Sequence, residues 1–158
     1  MTTASLNELK KEIVTLDVAR IQELCLRLAK YKKENKELLS YLLFEAHDEN
    51  KYVEGVKVEM DELFKELPEG NTYYIKKSLR KILRIVNRHI KYSGIKSTEI
   101  ELRVHFCKGF KKARIRLEEG TVLYNLYHQQ LKKIKTAVSA LPDDLQFDYH
   151  HDVEQISL

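Results

Sequence analysis

Residues 72–94 read TYYIKKSLRKILRIVNRHIKYSG, and this stretch decides the fold class. Apolar residues recur in it every three or four positions, which is the spacing of one helical face: Ile75, Leu79, Ile82, Leu83, Val86 and Ile90. Thr72 is a candidate cap for the start of this helix, and Gly94 suits the left-handed conformation that often ends one. The stretch therefore predicts a long amphipathic helix with one face in a core.

Start signals and apolar stripes predict further helices on both sides of this one. Ser5 and Glu8 have the spacing of a capping box for a helix to about Val14, and Asp17 is the next candidate cap, for a helix to about Lys33. Helical patterns also cover about residues 34–47, 49–67 and 121–141. We expect the helix over residues 34–47 to be the most buried, because its apolar face is the widest.

Residues 97–117 fit two kinds of secondary structure. Alternate residues are apolar, as in a strand: Ile100, Leu102, Val104 and Phe106. Ile100, Val104 and Cys107 also share one helical face, which Ser97 or Thr98 would cap. A lone hairpin is marginally stable without a sheet to join, and nothing else in the chain has a strand pattern. We therefore predict a helix, with a strand as the alternative.

The fold class predicted from these elements is all-α, with six to seven helices. Gly 5 and Pro 2 are low counts for a fold of many short strands, which needs frequent turns. We expect an irregular α-α superhelix of stacked helix pairs, with a closed helical bundle as the alternative. Residues 1–141 are predicted to form a single all-helical domain, and residues 142–158 an acidic C-terminal tail that contains aromatic residues and histidines.

Alternating Leu145, Phe147 and Tyr149 predict an extended conformation for this tail. Residues 142–158 contain no Lys or Arg, whereas residues 77–116 are rich in both. We therefore hypothesise that the tail packs back along the helices with its carboxylates near residues 77–116. A solvated tail is the alternative.

The sequence favours a cytoplasmic protein. No run approaches the roughly 18 apolar residues of a membrane span, so no membrane partner is expected. Charged residues stand near the N-terminus where a signal peptide would be apolar. The two cysteines, Cys25 and Cys107, lie far apart in the sequence, which is typical of reduced thiols. Both are expected to be buried on apolar helix faces.

Three segments carry a resemblance to a known family. Residues 9–45 (LKKEIVTLDVARIQELCLRLAKYKKENKELLSYLLFE) resemble the opening of a family of small bacterial helical proteins that is catalogued as a domain of unknown function. Residues 98–107 (TEIELRVHFC) and 125–134 (NLYHQQLKKI) are similar to its later part. The resemblance implies an all-α fold, and it implies no activity, cofactor or catalytic residue.

Positive charge is concentrated in residues 76–116, which hold 14 of the 28 Lys and Arg and only two acids, for a net charge of +12. On the long helix, cations recur at positions that share one face away from the apolar stripe: Lys77, Lys81, Arg84, Arg88 and Lys91. Lys111, Lys112 and Arg114 complete the candidate polyanion-binding residues. Such a strip meets the first requirement for binding a phosphate backbone. A solvated, solubilising face is the alternative.

No motif predicts catalysis or a cofactor. The sequence has no Gly-x-Ser-x-Gly, no P-loop and no Gly-x-Gly-x-x-Gly, and no two histidines lie three or four positions apart to hold a metal on a helix. We predict no catalytic residue, metal or cofactor. Tyr73, Tyr74 and Tyr92, near the basic stripe, are expected to pack against protein, with stacking on bases as the alternative.

The predicted function is a non-enzymatic protein-binding or scaffolding module with an unknown protein or peptide partner. Stacked amphipathic helices present continuous grooves that suit such partners. The first alternative is nucleic-acid or other polyanion binding through the basic face of residues 77–116. The second alternative is a metal-binding or enzymatic protein.

Overall fold

The computed structural model describes residues 2–158, which are 79% helical and contain no strand. Eight α-helices follow one another: α1 Leu6–Val14, α2 Val18–Tyr31, α3 Lys33–Ser40, α4 Glu49–Lys65, α5 Thr72–Ser93, α6 Lys96–Lys112, α7 Val122–Ser139 and α8 Asp143–Ile156. A π-helical turn, Tyr41–Glu45, follows α3. The all-α prediction is confirmed, with eight α-helices in this range instead of six or seven. The helix predicted within residues 97–117 is also confirmed, and the strand alternative is wrong.

Most of the predicted helix ends carry the expected caps. Ser5 and Glu8 form the capping box of α1, and the Asp17 carboxylate accepts the Arg20 N–H at the start of α2. Gly94 ends α5 with a φ of 68°, a left-handed conformation that costs glycine little.

Two caps differ from the prediction. Asn71, and not Thr72, caps α5, because its side-chain oxygen accepts the Tyr73 N–H. Helix α6 begins at Lys96, so Ser97 and Thr98 lie inside its first turn and do not precede it. The Thr98 hydroxyl donates to the Glu49 carboxylate of α4, so this side chain makes a tertiary hydrogen bond and does not cap α6.

The chain divides into two compact units, one ending at Phe44 and the other spanning Glu45–Leu158. In the first unit, α2 and α3 meet at Lys32, whose extended backbone turns the chain, and the Asn35 amide donates to the Leu28 carbonyl. Helices α1, α2 and α3 contain no buried residue.

Two burial predictions in this part of the chain are therefore wrong. Within residues 34–47 only Tyr41 is buried, and Cys25 is exposed. An apolar face predicts that a helix packs against another surface. The periodicity of the sequence does not show whether that surface belongs to the same chain.

The core of the second unit is built around α6, which packs against α4, α5, α7 and α8. Apolar residues on several sides of α6 are fully buried, among them Ile100, Leu102, Phe106 and Phe110. A helix with neighbours on several sides buries most of its circumference, and α6 leaves a polar stripe that includes Glu101, His105 and Lys108 partly open to solvent. Residues 100–106 alternate as in a strand because α6 also buries residues that a helix with a single buried face would expose.

The C-terminal tail is a helix, so the prediction of an extended segment is wrong. Asp143 and Asp144 occupy the first turn of α8, where carboxylates interact favourably with the helix dipole. Ile156 is fully buried, and the Tyr127 hydroxyl donates to its carbonyl over 2.6 Å.

The tail packs back on α6 and α7, and the hypothesised contact of its carboxylates with residues 77–116 is seen for Asp152. The Asp152 carboxylate pairs with Lys108 of α6 at 2.5 Å, and the Lys111 ammonium donates to the Gln155 and Ser157 carbonyls. The expectation of a single domain over residues 1–141 stays a prediction.

Gly109 and Gly55 test the packing around α6. A Cβ on Gly109 would lie 2.4 Å from the Phe64 ring, which packs against Phe106, whereas a Cβ on Gly55 of α4 meets nothing within 4 Å. We expect Gly109→Ala to lower the free energy of unfolding by about 1–3 kcal/mol through overpacking. The matched control, Gly55→Ala, should raise it by about 0.5–1 kcal/mol. Urea unfolding followed by circular dichroism measures both, and a neutral Gly109→Ala would contradict this packing.

Candidate functional site

Helix α5 has a buried side and a basic side. Leu79, Ile82 and Val86 are in the core. On the other side lie the exposed cations of what we call the basic face of α5: Lys77, Arg80, Lys81, Arg84 and Lys91. The sequence of α5 contains no Asp or Glu, and no carboxylate in residues 2–158 forms an ion pair with these five cations. Their positive charge is therefore available to a ligand.

Four of the five stripe residues predicted on this helix lie on the basic face. Lys77, Lys81, Arg84 and Lys91 are exposed, as the spacing requires. Arg88 is half-buried and has interactions within the protein. Arg80, which the stripe omitted, is an exposed member of the same face.

One side of the basic face forms a groove of about 510 Å³. We call it the α5 groove, and its lining contains four cations and no carboxylate: Tyr73, Lys76, Lys77, Arg80, Leu83, Arg84 and Asn87. Tyr73, at one end, is 59% exposed, and the Lys76 ammonium lies 5.4 Å from the centre of its ring. Tyr74 is also exposed. The Tyr73 and Tyr74 rings contact each other edge-on with 5.4 Å between their centres, so the prediction that they pack against protein holds for this one contact and not for the rest of each ring.

The other end of the groove is fixed by a buried arginine. The Arg103 guanidinium of α6 donates to the Asn87 amide oxygen over 3.1 Å and to the Gln130 amide oxygen of α7 over 2.8 Å. It also pairs with the Glu99 carboxylate at 3.0 Å. Because the Asn87 amide oxygen is bound to Arg103, its amide nitrogen is the donor that remains for a ligand.

Glu99 supplies the negative charge that balances Arg103. Burial acts to raise the pKa of Glu99, but hydrogen bonds from Lys96 and Arg103 outweigh it and hold that pKa below its usual value. Glu99 is therefore ionised at neutral pH and stays paired with the buried guanidinium. Sequence patterns did not reveal this cluster, because Asn87, Arg103 and Gln130 are far apart in the chain.

Of the predicted cations, Lys77 and Arg84 line the α5 groove, whereas Lys81, Arg88 and Lys91 of the same helix do not. Lys111 contacts the end of α8, and Lys112 is exposed on the last turn of α6. Arg114 follows α6 with a φ of 53° and lines a different cavity, of about 670 Å³, together with Arg116 and the loop around Pro68. The structure therefore does not join Lys111, Lys112 and Arg114 to the groove.

A second groove, which was not predicted from the sequence, lies in the first unit. It measures about 600 Å³ and runs between the end of α2 and α3. We call it the lysine-rimmed groove, and its lining combines apolar residues with four lysines and no carboxylate: Leu26, Ala29, Lys30, Lys32, Lys33, Lys36, Leu39, Ser40, Leu43 and Phe44. The cluster of lysines at residues 30–36 is the sequence signal that could have revealed it.

Histidines and cysteines form no recognisable chemical centre in the described part of the chain. No group of three or more His, Cys, Asp or Glu in residues 2–158 is arranged to hold a metal ion. The His105 ring contacts the Asp61 carboxylate at 2.8 Å as one isolated pair. None of the helices in this range has the length and apolar character that crossing a bilayer requires.

Comparison with known proteins adds no further information on this site. No protein-family model, no curated protein sequence and no solved structure matches the chain. The resemblance of residues 9–45, 98–107 and 125–134 to a family of small bacterial helical proteins therefore stays a prediction.

The two thiols should differ sharply in reactivity. Burial raises the pKa of Cys107 to about 12, although Arg103 and Lys111 act to lower it, whereas Cys25 is exposed. Because the thiolate is the reactive species, we expect dithionitrobenzoate at about pH 8 to modify only Cys25 in the folded protein. Both thiols should react after denaturation. Rapid modification of Cys107 in the folded protein, identified by peptide mass spectrometry, would contradict this assignment.

Proposed function

We propose that this chain binds single-stranded nucleic acid along the α5 groove. The observation that carries the proposal is a continuous row of exposed cations with no carboxylate among them and an exposed tyrosine ring at one end. Proteins that bind single strands combine these two features, a positively charged groove for the backbone and aromatic rings on which bases stack.

Lys77, Arg80 and Arg84 are the proposed phosphate contacts. They follow one another along a single helix face, so the cations form a track for a chain of phosphates. Each phosphate that a Lys or Arg neutralises releases condensed counterions, which makes the binding depend steeply on salt. The net charge of +12 over residues 76–116 attracts a polyanion from a distance.

Tyr73 and Asn87 favour a single strand over a duplex. The Tyr73 ring is available for stacking, whereas the bases of a duplex are already stacked on one another and turned inward. Asn87 offers an amide donor, held in place by Arg103, within the same groove. A duplex would use the cations alone and would therefore bind more weakly.

The cations can be tested by reversing their charge. We expect Lys77→Glu/Arg80→Glu/Arg84→Glu to weaken binding of a labelled oligothymidylate at least about tenfold. The slope of log affinity against log salt should also fall by about 2, since each lost contact to a single strand contributes about 0.7. Fluorescence anisotropy at several salt concentrations measures both quantities.

The matched control for that experiment is Lys132→Glu/Lys133→Glu/Lys135→Glu, which changes the net charge equally at exposed lysines of α7. This control should retain most of the affinity. Equal losses in the two triple variants would assign the binding to net charge and would contradict a site on α5. Absence of binding by the native chain at low salt would also contradict the proposal.

Protein binding or scaffolding is the second candidate function. It is favoured by the large apolar side chains that the first unit leaves exposed, three of which, Leu26, Leu43 and Phe44, line one groove. The α-α superhelix, in preference to a closed bundle, is part of this candidate, because stacked helix pairs present grooves to other proteins. This second candidate function also includes a bacterial origin, which the family resemblance implies. It includes a cytoplasmic location, which the spacing of the cysteines favours.

A further inference from the structure

We infer that the lysine-rimmed groove binds an amphipathic helix that carries acidic residues beside its apolar face. This inference names the partner for protein binding, the second candidate function, and so rests on that candidate. It is independent of nucleic-acid binding at α5, since it concerns only residues 2–44.

The floor of the groove is apolar and open to solvent. Leu26 of α2 is 57% exposed, and Leu43 and Phe44, which follow α3, are 62% and 67% exposed. A partner that buried these side chains would remove their apolar surface from water, which favours binding. The apolar floor therefore supplies the affinity for an apolar helix face.

Both helices that form the groove contribute positive charge to its rim. Lys30 belongs to α2, and Lys33 and Lys36 belong to α3. Lys33 also pairs with Glu37, but at 3.5 Å and while 82% of its side chain is exposed, so this contact competes little with a partner. Since no carboxylate lines the groove, complementary charge on the partner must be negative.

A helix fits this groove better than a membrane surface does. Apolar side chains at i, i+3, i+4 and i+7 of a partner helix would meet the floor between α2 and α3, and Asp or Glu beside them would face the lysines. A lipid surface is flat and binds the convex apolar face of an amphipathic helix. The apolar residues here line a concave space of about 600 Å³ between two helices.

The test uses the full chain and two labelled amphipathic peptides, one built of Leu and Glu and the other of Leu and Lys at the same positions. Fluorescence anisotropy should show the Leu/Glu peptide binding at least about tenfold more tightly, a preference worth about 1.4 kcal/mol. Lys30→Glu/Lys33→Glu/Lys36→Glu should reverse that preference, because the charge on the rim is then inverted.

Two double variants test the floor of the groove. Leu26→Ser/Leu43→Ser should weaken binding of the Leu/Glu peptide at least about tenfold. Leu28→Ser/Leu42→Ser is the matched control, because these leucines are 61% and 57% exposed but lie outside the groove, and it should leave the affinity unchanged. Circular dichroism verifies that both double variants remain helical.

Several outcomes would overturn the inference. Tighter binding of the Leu/Lys peptide would refute an acidic partner and leave protein binding as a function, whereas binding of neither peptide would refute both for this groove. Equal losses in the two double variants would place the peptide elsewhere. Binding of anionic vesicles and self-association on sedimentation are the remaining outcomes. If either one is lost only in Leu26→Ser/Leu43→Ser and is unaffected by the Leu/Glu peptide, the groove belongs to a membrane contact or to a second copy of the chain.

Discussion

The buried guanidinium of Arg103 is the interaction on which the second unit depends. A buried charge is tolerated only when it is paired and hydrogen-bonded, and Arg103 obtains its partners from three helices: Asn87 of α5, Glu99 of α6 and Gln130 of α7. Because these bonds are directional, they fix the rotation of α5 about its axis. With Leu79 and Val86 in the core and Asn87 bound to Arg103, the cations of α5 must face solvent. The basic face is therefore a consequence of the packing around α6 as well as of its own sequence.

The two units expose different kinds of surface. The second unit buries its apolar residues around α6 and exposes charge, which is the ordinary arrangement of a stable domain. In the first unit, α1, α2 and α3 carry apolar faces but bury none of their residues. An unburied apolar face gains free energy only when a partner covers it. One unit thus has the properties of an electrostatic binding surface, and the other those of a surface completed by a hydrophobic partner.

Local features of this fold could be predicted from the sequence, and tertiary ones could not. The capping box at Ser5, the left-handed Gly94 and the stripe of α5 depend on neighbouring residues, and the structure has all three. The exposure of Cys25 and Tyr73 depends on which surfaces meet, which periodicity does not specify. The spacing of residues along α5 predicted its cations. The role of Arg103 was missed because it depends on tertiary contacts with other helices.

The most direct measurement compares the affinities of Tyr73→Leu and Tyr74→Leu for a labelled oligothymidylate and for a DNA duplex of random sequence. Both tyrosines are exposed, but only Tyr73 lines the α5 groove. If a base stacks on Tyr73, Tyr73→Leu loses about 1–3 kcal/mol of single-strand binding, a factor of about 5 to 150, and keeps its duplex affinity. Tyr74→Leu removes only the edge-on contact between the Tyr74 and Tyr73 rings, so it should lose clearly less single-strand affinity and keep its duplex affinity. Equal affinities of all three proteins for the single strand, or an equal loss in both variants, would contradict a single-strand site in this groove.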